Sequence, residues 1–175
     1  MLFGQTPPPT IHGDPGSTRP RIAAWSLPVH DAVRRARRLL RDQISHPALD
    51  AESISDLDVV ITELTSNAVR HAPGPYELRI LHIGGVPWRI EVADAGTGAE
   101  LIESLMRRPL VVPDQVEALE VGGRGLLIVA KLTSGRCGAR QARLCGTGQN
   151  GTVVWFDLPT MRYRGSASSA DPAHW

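Results

Sequence analysis

The segment at residues 63–72 reads ELTSNAVRHA and forms the second half of the clearest helical pattern in the chain. Apolar residues recur at spacings of three and four over residues 55–71, which predicts an amphipathic α-helix. A capping box at Ser55 and Asp58 predicts its start, and Pro73 predicts its end. The predicted apolar stripe consists of Leu57, Val60, Ile61, Leu64 and Ala68.

Two polar residues, Glu63 and Asn67, lie four positions apart on this predicted helix, beside the apolar stripe. Residues at this spacing share one face of a helix. A carboxamide oxygen is a suitable ligand for a magnesium ion that also holds phosphates, and a nearby carboxylate can take a proton from an attacking hydroxyl group or water. An ordinary polar helix face is the simpler interpretation of the pair alone, so the spacing does not identify a site.

The rest of the chain shows further helical and strand patterns. Strands are predicted at 21–27, 76–83, 87–93, 137–144 and 152–158, and further helices at 29–45, 101–106 and 126–132. Gly84 and Gly85 predict a hairpin between the second and third strands. This order predicts an α/β (α+β) two-layer sandwich with a mixed, mostly antiparallel sheet and helices on one face.

Two glycine-rich segments stand next to predicted elements. Asp94, Gly96 and Gly98 form D-x-G-x-G directly after a strand, where glycines allow a ligand to approach and a carboxylate can accept a hydrogen bond from an adenine amino group. The sequence GGRG at 122–125 precedes an apolar run, so it opens a helix whose first N–H groups can bind phosphate. Its spacing fits neither a Walker A loop nor a Rossmann fingerprint. Each segment alone is also compatible with a surface turn.

The order of these segments along the chain resembles that of the motifs of a known protein family. ELTSNAVRHA, DAGTG and GGRGLLIV resemble the N, G1 and G2 boxes of the histidine-kinase-like ATPase (GHKL) superfamily, and GTVVWFDLP resembles its last strand. The resemblance covers roughly residues 24–159. It implies the Bergerat ATP-binding fold. The short chain, the opening helix LPVHDAVRRARRLL and the compact lid are most similar to the bacterial anti-sigma-factor serine/threonine kinases.

The resemblance implies roles for individual residues. It implies that Glu63 is the general base, that Asn67 is the magnesium ligand and that Asp94 binds adenine. The residues that it places around the adenine are Gly96, Gly98 and Thr152. Those that it places at the phosphates, beneath a lid formed by residues 100–121, are Gly123, Arg124, Gly125 and Leu126. The implied cofactors are ATP and Mg²⁺.

The implied function is regulation of transcription through a sigma factor. Proteins of this type bind a sigma factor and phosphorylate a serine or threonine of a small antagonist protein. The alternative is an ATP-binding switch that sequesters a partner without transferring phosphate, and Glu63 favours the kinase because binding alone needs no carboxylate near the acceptor. A histidine kinase domain is a weaker alternative: His30 followed by Asp31 resembles a phosphoacceptor, but we expect no room for a dimerisation helix pair before the first predicted helix.

Composition limits the partners and the compartment. A formal net charge of +1 gives no general reason to expect direct nucleic-acid binding. No stretch approaches the roughly 18 apolar residues that span a bilayer, and the start lacks the order of a secretory signal, so we expect a cytoplasmic protein. Residues 1–20 and 162–175 contain few apolar side chains and are predicted to be disordered, which leaves a domain at 21–161.

The first predicted helix is strongly basic. Its arginines are Arg34, Arg35, Arg37, Arg38 and Arg41. They are suited to dock an acidic partner such as a sigma factor, although an ordinary solvated face has the same composition. The family further suggests a possible homodimer. Cys137 and Cys145 have no zinc-site spacing, and we expect both to be free thiols.

Overall fold

The computed structural model describes residues 9–12, 20–44, 50–108 and 124–158. These residues form six strands and four α-helices, and one turn of 3₁₀ helix (Val29–Asp31) precedes the first α-helix. In chain order the elements are β1 (Thr10–His12), β2 (Arg21–Leu27), α1 (Ala32–Gln43), α2 (Ala51–His71), β3 (Tyr76–Ile83), β4 (Val86–Asp94), α3 (Ala99–Met106), α4 (Arg124–Leu132), β5 (Cys137–Arg143) and β6 (Asn150–Asp157).

The strands form one sheet in the order β1-β2-β3-β4-β6-β5. Every neighbouring pair is antiparallel, so the predicted mixture of parallel and antiparallel pairs is not found in the described residues. Alternate residues of the strands, such as Ile80, Ile90 and Phe156, pack with helix residues such as Leu40 and Ile61 in one core. The predicted two-layer α/β sandwich is therefore confirmed.

Helix α2 begins four residues before its predicted start. Asp50 is its N-cap, and the carboxylate Oδ1 of Asp50 accepts a hydrogen bond from the backbone N–H of Ser53 at 2.8 Å. The predicted capping box is wrong because Ser55 and Asp58 lie inside the helix, where Asp58 pairs with arginines of α1. All five residues of the predicted apolar stripe are buried.

The hairpin between β3 and β4 is confirmed. Gly84 and Gly85 have φ values of 59° and 81°, the left-handed conformation that a two-residue type I′ turn requires at both positions. The turn aligns the strands so that Ile83 pairs with Val86. The register shifts between Leu81 and His82, and the pairing then continues to Glu77 opposite Ala93, next to Asp94 at the end of β4.

The structure differs from the sequence-based expectation at β1. Residues Thr10–His12 lie in the segment predicted to be disordered, yet they pair antiparallel with β2, with Thr10 opposite Ala24 and His12 opposite Ile22. This pairing depends on backbone hydrogen bonds. Three residues are too few to show the side-chain alternation by which a strand is predicted from sequence. The rest of residues 1–20 and the predicted tail at 162–175 lie outside the described residues, apart from residues 9 and 20.

Two further observations concern the whole described chain. Cys137 and Cys145 are both free, as predicted. No helix among the described residues is long and apolar enough to cross a membrane.

Candidate functional site

The loop after β4 is held by hydrogen bonds from two directions. The backbone N–H of Gly96 donates to Oδ1 of Asp94 at 2.8 Å, and the hydroxyl group of Thr152 donates to the carbonyl oxygen of Gly96 at 3.0 Å. Asp94 and Thr152 pair across β4 and β6, and only 3% and 1% of their surfaces are exposed. The predicted D-x-G-x-G segment is therefore fixed to the end of the sheet.

The electrostatics of Asp94 are dominated by burial. Burial raises the pKa of the Asp94 carboxyl above its ordinary value, and the hydrogen bond from the Gly96 N–H opposes this shift. Among the described residues, no donor binds the second carboxylate oxygen, Oδ2. Asp94 lines the cavity described below, so this oxygen is available to a donor group of a ligand.

Glycine is required at position 96 by close contacts. A Cβ atom there would lie 2.8 Å from Oδ1 of Asp94 and 3.1 Å from the Cβ of Ala72. The same loop is tied to the end of α2, because the N–H of Ala95 donates to the carbonyl oxygen of Pro73 at 2.9 Å. Gly98 differs, since its Cβ would meet only the side chain of Ile102, at 3.9 Å. Contacts within the protein therefore explain Gly96 but not Gly98.

A cavity of about 990 Å³ lies between the three helices α2, α3 and α4 and the strands β4 and β6. Its apolar walls include Leu64, Val92, Ile102, Leu105, Leu126 and Val154. Asn67, Asp94 and Thr152 contribute polar groups. An apolar cavity of this size with a few convergent polar groups is typical of a small-molecule site.

The start of α4 lies against the polar face of α2. A Cβ atom on Gly125 would overlap the carboxylate of Glu63 and would lie 3.5 Å from Nδ2 of Asn67. Nδ2 of Asn67 is buried and has no hydrogen-bond partner within the described part of the chain. A buried amide without a partner is uncommon in proteins and is available to a ligand. The first N–H groups of α4, which have no partner inside the helix, are close to the same place.

The structure brings most of the predicted site residues together. Those that line the cavity are Asn67, Asp94, Gly96, Gly98, Leu126 and Thr152. Glu63 and Gly125 meet beside the cavity but are not part of its described lining. Arg124 is exposed as the first residue of α4 and does not line the cavity either. Gly123 and residues 109–121 of the predicted lid lie outside the described residues.

Sequence reasoning missed several residues of the cavity. His71 lines it and continues the spacing of four set by Glu63 and Asn67, so this periodicity could have revealed it. Leu101, Ile102 and Leu105 form a wall on α3, and Arg108, two residues beyond the helix, also lines the cavity. The first part of the predicted lid, residues 100–108, is thus helix and helix end at the cavity. The helical spacing of Leu101, Ile102 and Leu105 is the sequence pattern that could have revealed this wall.

The cavity residues fit a nucleotide with magnesium. The apolar walls suit a planar base, and Oδ2 of Asp94 can accept a hydrogen bond from its amino group. The unpartnered Nδ2 of Asn67, beside the start of α4, can donate a hydrogen bond to a phosphate oxygen. Among the described residues, no group of three or more His, Cys, Asp or Glu residues is arranged to hold a metal ion. A magnesium ion at this site would be held mainly by phosphates and water, with the carboxamide oxygen of Asn67 as its protein ligand.

Comparison with known proteins agrees with this geometry. A family model described as the histidine kinase-like ATPase domain matches residues 28–156, which include Glu63, Asn67, Asp94 and Thr152. A search of curated proteins found no relative that matches the chain. The family match implies ATP binding. The chain belongs to the histidine kinase-like ATPase family.

Proposed function

We propose that the chain is an ATP-binding anti-sigma factor and a kinase that phosphorylates a serine or threonine of a small antagonist protein. The observation that carries the proposal is the meeting of Glu63, Asn67 and the start of α4 beside the cavity that contains Asp94. One helix, α2, supplies both the carboxylate and the carboxamide. This arrangement supports Glu63 as a general base and Asn67 as a metal ligand beside the nucleotide site.

Nucleotide binding in this proposal depends on the end of the sheet. Oδ2 of Asp94 accepts a hydrogen bond from the adenine amino group, and the hydrogen bond from Gly96 keeps the carboxylate in place. Thr152 acts through the carbonyl oxygen of Gly96 and so positions the loop. The apolar walls exclude water from the adenine ring, and this exclusion strengthens the polar contacts inside the cavity.

Phosphate binding and transfer depend on α2 and α4. Bound ATP supplies the phosphoryl group, and magnesium compensates its charge. Asn67 holds the metal, while the N–H groups at the start of α4 are suited to bind phosphate. Glu63 is half-buried and has no hydrogen bond or ion pair among the described residues, so its carboxylate is free to accept the proton of a serine or threonine hydroxyl group.

The arginine face of α1 is the proposed docking surface for an acidic partner such as a sigma factor. Arg34, Arg37, Arg38 and Arg41 line a surface depression of about 680 Å³ together with Val29, which is 60% exposed. Asp31 and Asp42 also line this depression, but most of its charged residues are arginines. An exposed apolar residue in a mainly cationic depression suits an acidic partner that also buries apolar surface. Acidic residues of the chain compensate part of this charge, since Asp31 pairs with Arg34, and Asp58 pairs with both Arg37 and Arg41.

One observation favours the alternative function, an ATP-binding switch that sequesters a partner without phosphate transfer. Glu63 lies beside the cavity and is not part of its described lining. Binding and release of a partner would need only the cavity and the arginine face.

The two functions are separated by a transfer assay. The purified chain is incubated with γ-labelled ATP, magnesium and the candidate antagonist proteins encoded by the same genome, and labelled residues are identified. Label on a serine or threonine of one candidate supports the kinase and identifies its substrate. Confirmed ATP binding without label on any candidate supports the switch.

A further inference from the structure

The side chain of Glu103 connects α3 to the edge of the sheet. Its Oε2 accepts a hydrogen bond from the backbone N–H of Ala139 in β5 at 2.5 Å, and its Oε1 accepts one from Nε of Arg107 at 2.7 Å. β5 is the last strand of the sheet, so alternate N–H groups of this strand have no strand partner. Glu103 supplies the missing acceptor.

The contact is built into the strand by a glycine. A Cβ atom on Gly138 would lie 2.8 Å from Oε2 of Glu103 and 2.8 Å from Cζ2 of Trp155. The absence of a side chain at position 138 therefore lets the Glu103 carboxylate reach the backbone of β5. Gly138 is itself buried. The hydrogen bond and the glycine are thus two separate features that allow α3 to pack against this edge of the sheet.

The opposite face of α3 forms a wall of the cavity. Leu101, Ile102 and Leu105 line the cavity, whereas Glu103 faces β5. Within the described residues, the Glu103 bond is the one side-chain hydrogen bond between α3 and the sheet; Ala99 and Met106 add apolar burial. The Glu103 bond is therefore the one polar side-chain contact that adds to apolar packing in holding this wall against the sheet.

We infer that Glu103 is a positioning residue that holds α3 against β5 and thereby controls how fast the nucleotide leaves the cavity. The inference rests on the proposed binding of ATP in this cavity. Without the Glu103 carboxylate, the N–H of Ala139 loses its partner and α3 keeps only apolar contacts to the sheet. The wall then moves away from the cavity more often, and the bound nucleotide is released faster.

The test uses the full chain and a fluorescent ADP analogue whose release is followed by stopped flow. Glu103→Ala should release the analogue on the order of tenfold faster than the parent, which corresponds to about 1.4 kcal/mol and to the loss of one hydrogen bond to a charged group. Glu103→Gln keeps an acceptor oxygen for Ala139 and should restore most of the slow release. Arg107→Ala removes only the ion pair within α3 and should match the parent.

Hydrogen exchange of the nucleotide-free protein gives a second, independent result. In Glu103→Ala the amide of Ala139 and those of α3 should exchange faster, while amides in the centre of α2 should not change. Unchanged exchange at Ala139 and α3 would overturn the anchor itself. Faster exchange with unchanged release would overturn the positioning role and leave a purely structural contact. A parent that fails to bind the analogue would instead overturn the proposed ATP site, and this inference with it.

Discussion

Gly125 in α4 lies against the carboxylate of Glu63 in α2. A Cβ atom at position 125 would overlap Oε2 of Glu63 and would lie 3.5 Å from Nδ2 of Asn67. A glycine at this place therefore allows the start of α4 to reach the two polar residues of α2. The chemistry proposed for Glu63 and Asn67 depends on this close approach.

Replacing Gly125 with alanine should fail to give the usual gain in stability and should weaken nucleotide binding. In an ordinary helix this change stabilises the protein by about 1 kcal/mol. Here the methyl group must displace Glu63, so we expect no gain in thermal stability and a loss of ATP affinity of about tenfold. Thermal unfolding and calorimetric titration with magnesium-ATP measure the two effects.

The matched control is Gly98→Ala, because a Cβ at position 98 would meet only Ile102, at 3.9 Å. We expect this variant to unfold at the same temperature as the parent. If Gly125→Ala were stabilised and bound ATP normally, the contact with Glu63 would have no role in the site.

Replacing Asp94 with asparagine should weaken ATP binding strongly. The asparagine amide can keep the contact to the Gly96 N–H, but it presents an NH₂ group or a neutral oxygen to the adenine amino group. A hydrogen bond to a charged group contributes about 1.5–3 kcal/mol, so the expected loss of affinity is roughly 10–100-fold. Calorimetric titration with ATP and GTP measures this loss together with any change in base preference. Equal ATP affinity in parent and variant would remove Asp94 from adenine recognition.

The same substitution should stabilise the protein at neutral pH. Burial raises the native pKa of Asp94 above its ordinary value of 3.8, so the native state binds this proton more tightly than the unfolded state. The charged carboxylate therefore costs stability above the native pKa, and this cost disappears as the pH falls through the native pKa towards 3.8. Urea unfolding at several pH values should show Asp94→Asn more stable than the parent at pH 7, with the difference shrinking in acid. A difference that does not change with pH would contradict the raised pKa.

The sequence predicts α2 and its polar face well, because a long helix buries one side and leaves a clear periodicity. The stripe from Leu57 to Ala68 fixes the orientation of the helix, and this orientation places Asn67 at the cavity. The start of the helix was less predictable, because Asp50 and Ser55 are both suitable N-cap residues. Only tertiary packing decides between such candidates.

Contacts between distant segments could not be predicted in this way. The hydrogen bond between Glu103 and Ala139 joins residues 36 positions apart, and neither side has a distinctive local pattern. The strand β1 depends on backbone pairing with β2 rather than on its own side chains. The close approach of Gly125 to Glu63 likewise depends on how α4 packs on α2. Gly125 could be identified in the sequence, but its contact with Glu63 could not.

Replacing Glu63 with glutamine should separate phosphate transfer from nucleotide binding. Glutamine has nearly the same shape but cannot accept the proton of the attacking hydroxyl group. A general base contributes about 10²–10⁴-fold to a reaction rate, so transfer to the antagonist protein should fall by about this factor while ATP affinity stays close to that of the parent. Glu52→Gln, an exposed position in the first turn of the same helix, is the control and should transfer phosphate normally. Equal transfer by Glu63→Gln and the parent would exclude Glu63 as the base.

Replacing Asn67 with alanine should weaken the binding of magnesium rather than remove the general base. Its buried amide has no partner among the described residues, so truncation removes no hydrogen bond within that part of the chain and should cost little folding stability. The loss should appear instead as magnesium-dependent ATP affinity, which we expect to fall by about tenfold, while affinity measured in the presence of a chelator changes little. The measurement is a pair of ATP titrations, with magnesium and with chelator, for the parent and for Asn67→Ala. If magnesium improves binding equally in both proteins, Asn67 is not the ligand, and the metal must be held by other groups near the start of α4.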